Sequence, residues 1–292
     1  MGKVPFSRVI HINFKTTLRM KDLILTVVIF SLIGLFSVYD VVTFPSSCAK
    51  NVWDVLFVAF AGPLISNDSL FTLIFWFLPY LMFFYMFGNI AEEELSQRGV
   101  SIIPLIGSRR KWWLGEVVTL LILSFIYVLI GIATVLAVSL FFLPWSNQIS
   151  PFLFSGEIWQ TIPKDTTVVT LMIRWIFLLF GSTLFAVSFI QMVLSVIWRN
   201  SFTALILVCT VMILSWLSGI GHPYIVKWLP GSQSMLLRHT FLDPMVYGFS
   251  LTWSLVYNAI IVLIVLAVSF IYVRRMDIFN STFSLQKYES YY

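Results

Sequence analysis

Uncharged apolar runs of about 20 residues alternate along the chain with short polar stretches, and that is the length at which an α-helix crosses a hydrocarbon core. Six runs qualify. They are Leu23 to Tyr39, extending to Thr43; Ser69 to Ala91, with Pro79 inside; Val117 to Leu143; Trp175 to Trp198, whose helix starts upstream near Val168; Asn200 to Gly221; and Pro244 to Val273, with its core from Phe249. Ahead of the first run the pattern changes. Phe6, Ile10, Phe14 and Leu18 recur four apart, Val9 joins their face, and Arg8, His11, Lys15 and Arg19 occupy a separate arc. Such a pattern predicts an amphipathic helix lying in the membrane interface, apolar side down. The expected fold is an all-α integral membrane protein: six transmembrane helices preceded by an N-terminal amphipathic interfacial helix. Its divisions are residues 1–22 for the interfacial helix, 23–273 for the membrane domain and 274–292 for a short tail. No soluble domain, linker, low-complexity tract or internal repeat stands out.

Composition sharpens this reading. Of 292 residues, 59% are hydrophobic and only 11% charged, less than half the charged share of an ordinary soluble domain. Lipid makes an apolar exterior tolerable. Trp and Tyr, 11 of each, flank many apolar runs, as expected at a lipid–water boundary. A signal peptide is a poor account of the first run, because 22 residues precede it and Pro45-Ser46-Ser47 is a poor cleavage site.

Charge gives the orientation. Lys and Arg number 13 in the N-terminal stretch, the second–third connection, the fourth–fifth turn and the tail, against four in the opposite loops. Arg174 falls inside a span. The bias places both termini in the cytoplasm, and a bacterial cell membrane is the expected location. The net charge of +5 follows from these flanks and does not imply a nucleic-acid partner. Cys48 lies in an outer loop and Cys209 in mid-membrane, too far apart to be bridged.

The densest charge cluster lies between the second and third runs: Glu92, Glu93, Glu94 and Arg98, then Gly99, then Arg109, Arg110 and Lys111 before Trp112 and Trp113. The acids are expected to continue the second helix until Gly99 and Pro104 break it. The two tryptophans fit an interface belt, and Glu116 lies at headgroup depth. Read for chemistry, the cluster is either a solvated loop or a docking point for a soluble partner.

Catalytic patterns are scarce. The phosphate-binding loop, H-E-x-x-H, C-x-x-C and G-x-S-x-G are all missing from the sequence. Glu93, Glu94 and Arg98 fit the E-E-x-x-x-R pattern of intramembrane prenyl-type proteases, and His239 with Asp243 fits their H-x-x-x-[DN] pattern. Those enzymes need the two sets together to activate a water, whereas here about 30 Å of bilayer is expected between them. His11, His222 and His239 are otherwise expected in loops or at surfaces. Arg174 is expected to snorkel to headgroups or to face a cavity, and Gln191 to pack between helices. Asp40 and Glu116 sit near span ends, so no mid-membrane carboxylate serves an ion-coupled carrier.

The order of these features resembles the type-2 ABC transporter permeases. An amphipathic helix precedes six spans, and a charged loop from Glu92–Glu94 to Ser108-Arg109-Arg110-Lys111 follows the second. Lys227-Trp228-Leu229-Pro230 through Leu242-Asp243-Pro244 is similar to that family's re-entrant outer hairpin. The sequence departs at Arg98-Gly99-Val100, where the family carries Gly-Thr. The resemblance implies a permease subunit of an ATP-driven exporter moving an amphipathic or hydrophobic cargo: a peptide, a lipid-like molecule or a drug. It implies a second permease subunit, identical or related, and a separate ATPase that holds ATP and Mg. This chain itself would hold no cofactor and would not be an enzyme. The loop residues Glu92, Glu93, Glu94, Arg98, Arg109, Arg110 and Lys111 would receive the motor's motion, together with Arg8, Lys15 and Arg19. The protease, or a non-transporting scaffold or sensor subunit, is the alternative reading.

Overall fold

Backbone N–H and C=O groups in lipid must be satisfied within the chain, which leaves helices as the outcome for runs of this kind. A computed structural model describes residues 5–45, 48–63, 70–148, 150, 152, 167–221, 223–239 and 248–276. The helices are α1 (Phe6–Thr17), α2 (Met20–Thr43), α3 (Val52–Ala61), α4 (Leu70–Phe87), α5 (Ile90–Ile106), α6 (Arg109–Ser139), α7 (Thr167–Trp198), α8 (Ser201–Gly221), α9 (Pro223–Val226) and α10 (Leu251–Arg275). Six helical stretches are long and apolar enough to cross a membrane. They are supplied by α2, α4, α6, α7, α8 and α10, and the second continues through the Gly88–Asn89 turn into α5. Among the described residues there is no strand; a single bridge pairs His239 with Phe249. The protein is an all-α membrane protein, as its apolar runs require.

The bundle is arranged around α7. Of its most apolar window 78% is buried, against 22% for α8 and 17% for α10, so α7 is the axis and the other two are peripheral. Small and polar residues along α7, Thr183, Ser188, Gln191 and Ser195, are all buried. Small side chains let helix backbones approach closely where no hydrophobic force drives helices together. Aromatic rings fill the rest of the interior. Phe30 meets Tyr127 edge-on at 5.2 Å, and Phe60 meets Phe180 edge-on at 5.4 Å. Tyr80 packs on Phe180 at 4.6 Å. The α7–α8 turn is short because Arg199 takes a left-handed conformation (φ 53°) and Asn200 caps α8 by accepting from the Thr203 N–H at 3.0 Å.

Several expectations are corrected. Gly99 and Pro104 do not break the connection, because α5 runs through both and stops only at Gly107, left-handed at φ 74°. Pro104 lies on the exposed side of the last turn, close enough to the helix end that α5 carries it without a break. Ser108 then starts α6 eight residues before Val117, its hydroxyl accepting from the Lys111 N–H at 3.4 Å. Trp112 and Trp113 are not an interface belt; both are fully buried. Their indole N–H groups find Glu94 and Ser269, at 2.8 and 2.9 Å, which makes burial affordable.

The connection between α2 and α4 contains α3, a helix too short to span. Its start is a capping box, with Asn51 accepting from Trp53 N and Asp54 from Asn51 N. The α1 face is also rotated from the expected one. Val9 and Asn13 are buried, while Ile10, Phe14 and Leu18 are half-buried and Phe6 is exposed. Gly115 allows this: a Cβ there would sit 2.8 Å from Val9 Cγ1.

Candidate functional site

The helix ends that carry most of the Lys and Arg, here the basic end, are tied together by polar contacts between elements. Asn13 Nδ2 of α1 donates to Glu116 Oε1 of α6 at 2.6 Å, and both groups are buried. Trp112 Nε1 of α6 donates to Glu94 Oε2 of α5. Arg19, at the α1–α2 junction, pairs with Glu93 of α5 at 3.6 Å; both side chains are about half exposed, so the pair is a weak latch. Arg109 Nη1 donates to the carbonyls of Arg274 and Met276 at 3.3 and 2.7 Å, holding the end of α10. A cavity of about 260 Å³ opens among α1, α2, α4, α5 and α6. Its lining mixes Glu93, Glu94 and Glu116 with Arg19, Lys21 and Arg98.

The sequence-derived residues divide accordingly. Glu93, Glu94, Arg19 and Arg98 meet at the cavity, and Arg109 lies nearby on the α10 tie. Glu92 is half-buried on the same helix, Arg110 is exposed, and Lys111 is half-buried in the first turn of α6. Arg8 and Lys15 are exposed on α1, away from its buried face. Gln191 and Arg174 lie elsewhere. Gln191 is buried on α7 and donates to the Phe84 carbonyl at 3.1 Å, in the last turn of α4. Arg174 is exposed on the flank of α7, the position from which a long stem snorkels. Asn13 and Glu116 are the members that the sequence reading missed. The signal was present in Glu116, a carboxylate directly before the α6 apolar run, which needs a donor from another element once it is buried.

The opposite end has its own polar knots. Asp54 accepts from Ser150 Oγ at 2.7 Å and from the Asn51 N–H at 2.7 Å. Burial pushes its carboxyl up to about 6, although Ser150, the Asn51 N–H and Lys50 all favour the charged form. Trp53 Nε1 donates to the Ser146 carbonyl and Asn51 Nδ2 to that of Gln148, so α3 is stitched to the chain that follows α6. His239 is fully buried rather than at a surface. It contacts the Met235 carbonyl and Ser254 Oγ, each at 2.8 Å, and Ser254 donates to Gln233. Burial pushes its imidazole down to about 4, against the pull of the Met235 and Leu236 carbonyls. Arg238, counted among the outer-loop cations, is buried as well.

This arrangement separates the two halves of the protease-like pattern. His239 contacts Ser254 near the start of α10, whereas Glu94 contacts Trp112 beside the end of that helix. The helix rise puts roughly 25 Å between the two levels. Asp243 and His222 lie outside the described residues. Among those described, no cluster of three or more His, Cys, Asp or Glu is placed to hold a metal ion. No family model, curated protein or solved structure matches this chain.

Proposed function

We propose that this chain is the membrane-spanning permease subunit of an ATP-driven exporter, coupled at its basic end to a separate ATPase. The supporting observation is the way α5 is mounted. Its acidic first turns are tied to the α1–α2 junction and to α6 through Arg19–Glu93 and Glu94–Trp112. Its last turn seats Ile103 and Ile106 in the core and turns its other face outward, where Leu105 is 66% exposed with Pro104 exposed beside it. An apolar tip on a rigid, charged helix suits a groove on a soluble partner. A displacement of α5 then reaches α1 and α6 by direct contact, without crossing a flexible loop. In this reading the basic end faces the cytoplasm, both termini are inside, and the membrane is a bacterial cell membrane.

The exposed apolar flanks of α8 and α10 are available to a second permease subunit or to lipid. ATP binding drives the transition by favouring one arrangement of the ATPase pair over another, since a ligand shifts a conformational equilibrium only through differential affinity. The cargo class is amphipathic or hydrophobic, which fits Phe-rich spans. ATP and Mg belong to the partner, in keeping with the missing phosphate-binding loop in this sequence.

The test is reconstitution with the ATP-binding protein that co-purifies with the chain. Arg19→Glu or Glu93→Arg alone is expected to lower cargo-stimulated ATPase activity several-fold, and the double swap to restore it. Leu105→Asp is expected to abolish co-purification while thermal stability stays unchanged. An undiminished rate in the single variants, or full capture by Leu105→Asp, removes the coupling assignment. A tight partner with no cargo movement in vesicles assigns a scaffold or sensor role instead.

A further inference from the structure

The cavity at the basic end has an order to its charges that the coupling role does not require. Its floor is acidic. Glu116 is 1% exposed, and Glu94 lines the same cavity. Asn13 supplies Glu116 with a donor and Trp112 supplies Glu94 with one, yet among the described residues neither has a cationic partner. A carboxylate accepts up to four hydrogen bonds, so this pair has spare capacity. Two carboxylates facing one cavity favour a cation between them. At the rim Arg19 is already paired with Glu93, and exposed Lys21 and Arg98 line the cavity with Asp22. One wall is Tyr85, 67% exposed at the last turns of α4, with Met86 beside it. The cavity therefore runs from an acidic floor, buried at Glu116, to an exposed rim with a surplus of cations and an aromatic side wall. Its volume of about 260 Å³ is far more than one water needs, at about 30 Å³.

We infer that this cavity binds the head of a zwitterionic amphiphile: a primary ammonium on the Glu94–Glu116 floor and its phosphate at Lys21 and Arg98 of the rim, as an aminophospholipid in the adjacent leaflet presents. Charge order selects this occupant. An anionic head without an amine leaves the floor uncompensated, and a quaternary amine has no N–H to donate. A phosphate is matched by guanidinium groups in a fork geometry. The acyl chains would leave past Tyr85, whose ring has an apolar face and a polar tip suited to the interface. The site goes beyond the exporter reading and does not depend on an ATPase.

The test uses the full-length chain in nanodiscs, without nucleotide or partner. Retained lipid is counted by native mass spectrometry after release into detergent, from equal mixtures of phosphatidylethanolamine, phosphatidylcholine and phosphatidylglycerol. Phosphatidylethanolamine is expected to be retained about tenfold over the other two, the value of one charge-assisted hydrogen bond. Glu116→Gln and Glu94→Gln are expected to erase the preference for the primary amine. Lys21→Ala with Arg98→Ala is expected to weaken retention of every phospholipid. Arg174→Gln, far from the cavity, serves as the control and is expected to change nothing. Soluble phosphoethanolamine distinguishes the source. Displacement of the lipid marks a site for the head alone, and failure to displace it marks one that needs the acyl chains; both retain the ammonium–phosphate chemistry. Equal retention of phosphatidylcholine, or an unchanged preference in Glu116→Gln with its thermal midpoint preserved, overturns the proposal.

Discussion

Asp54 shows how one buried carboxyl sets a pH dependence. Its folded value of about 6 stands above the ordinary 3.8, so the folded chain holds this proton more tightly than the unfolded chain does. Its contribution is greatest below about pH 4 and falls as the pH rises to about 6, on the order of 3 kcal/mol. His239 works in the other direction. Its folded value of about 4 lies below the ordinary 6.5, so stability is gained as the pH rises between those values. Asp54→Asn is therefore expected to leave only the rising limb, read as a thermal midpoint that climbs from pH 4 to 6.5. At this scale the sequence misleads most. Trp112 and Trp113 look like a lipid-boundary pair, and they are interior because Glu94 and Ser269 accept from their indoles. His239 looks like a loop residue for the same reason: partners such as Met235 and Ser254 come from turns whose packing no periodicity encodes.

At the scale of elements, long apolar runs were legible because hydrocarbon leaves the backbone no other solution. Helices α2, α8 and α10 follow their runs closely at one or both ends. The short α3 was not read, although Asn51 and Asp54 form the N-terminal signature that marks it. Its ten residues fall below span length, and a search for spans passes over it. Asn51→Ala is expected to cost about 1 kcal/mol through the lost cap alone, and more because its amide also holds the Gln148 carbonyl. Thermal unfolding in detergent measures this. The α4–α5 junction gives a sharper case. A Cβ on Gly88 would overlap the Gln191 amide. Gly88→Ala is expected to destabilise by about 1–3 kcal/mol, and Gln191→Ala in the same chain to recover part of the loss. A simple sum of the two single effects would show that the two positions do not touch.

At the scale of the molecule, a count of spans gives the number of crossings but not which helix is central. The runs of α7 and α10 are both uncharged and of similar apolar character, yet one is the axis and the other lies at the periphery. The difference lies in small and polar side chains. Buried Thr183 and Ser188, with Gln191, draw neighbours onto α7, and Asn258 of α10 reaches it by donating to Thr183 Oγ1 at 3.0 Å. The candidate site was half legible. Charged residues of α5 and the α1–α2 junction stand out in the sequence, whereas Asn13 and Glu116 are 103 positions apart and meet only because Gly115 admits α1. Arg109 ties the end of α10 to the start of α6 through backbone carbonyls. Arg109→Ala is expected to raise amide hydrogen exchange across residues 273–276 at least severalfold while the middle of α10 is unaffected. Equal protection in both forms would show that this end is held by packing alone.

The bond from Gln191 to the Phe84 carbonyl has a mechanical consequence. It anchors the last turn of α4 to the central helix immediately before the chain bends at Gly88–Asn89. The seventeen residues of α5 extend roughly 25 Å from that bend, and Ile103 and Ile106 seat the far turn in the core, so the helix is held at both ends and a load along it is borne by the bundle rather than by a loop.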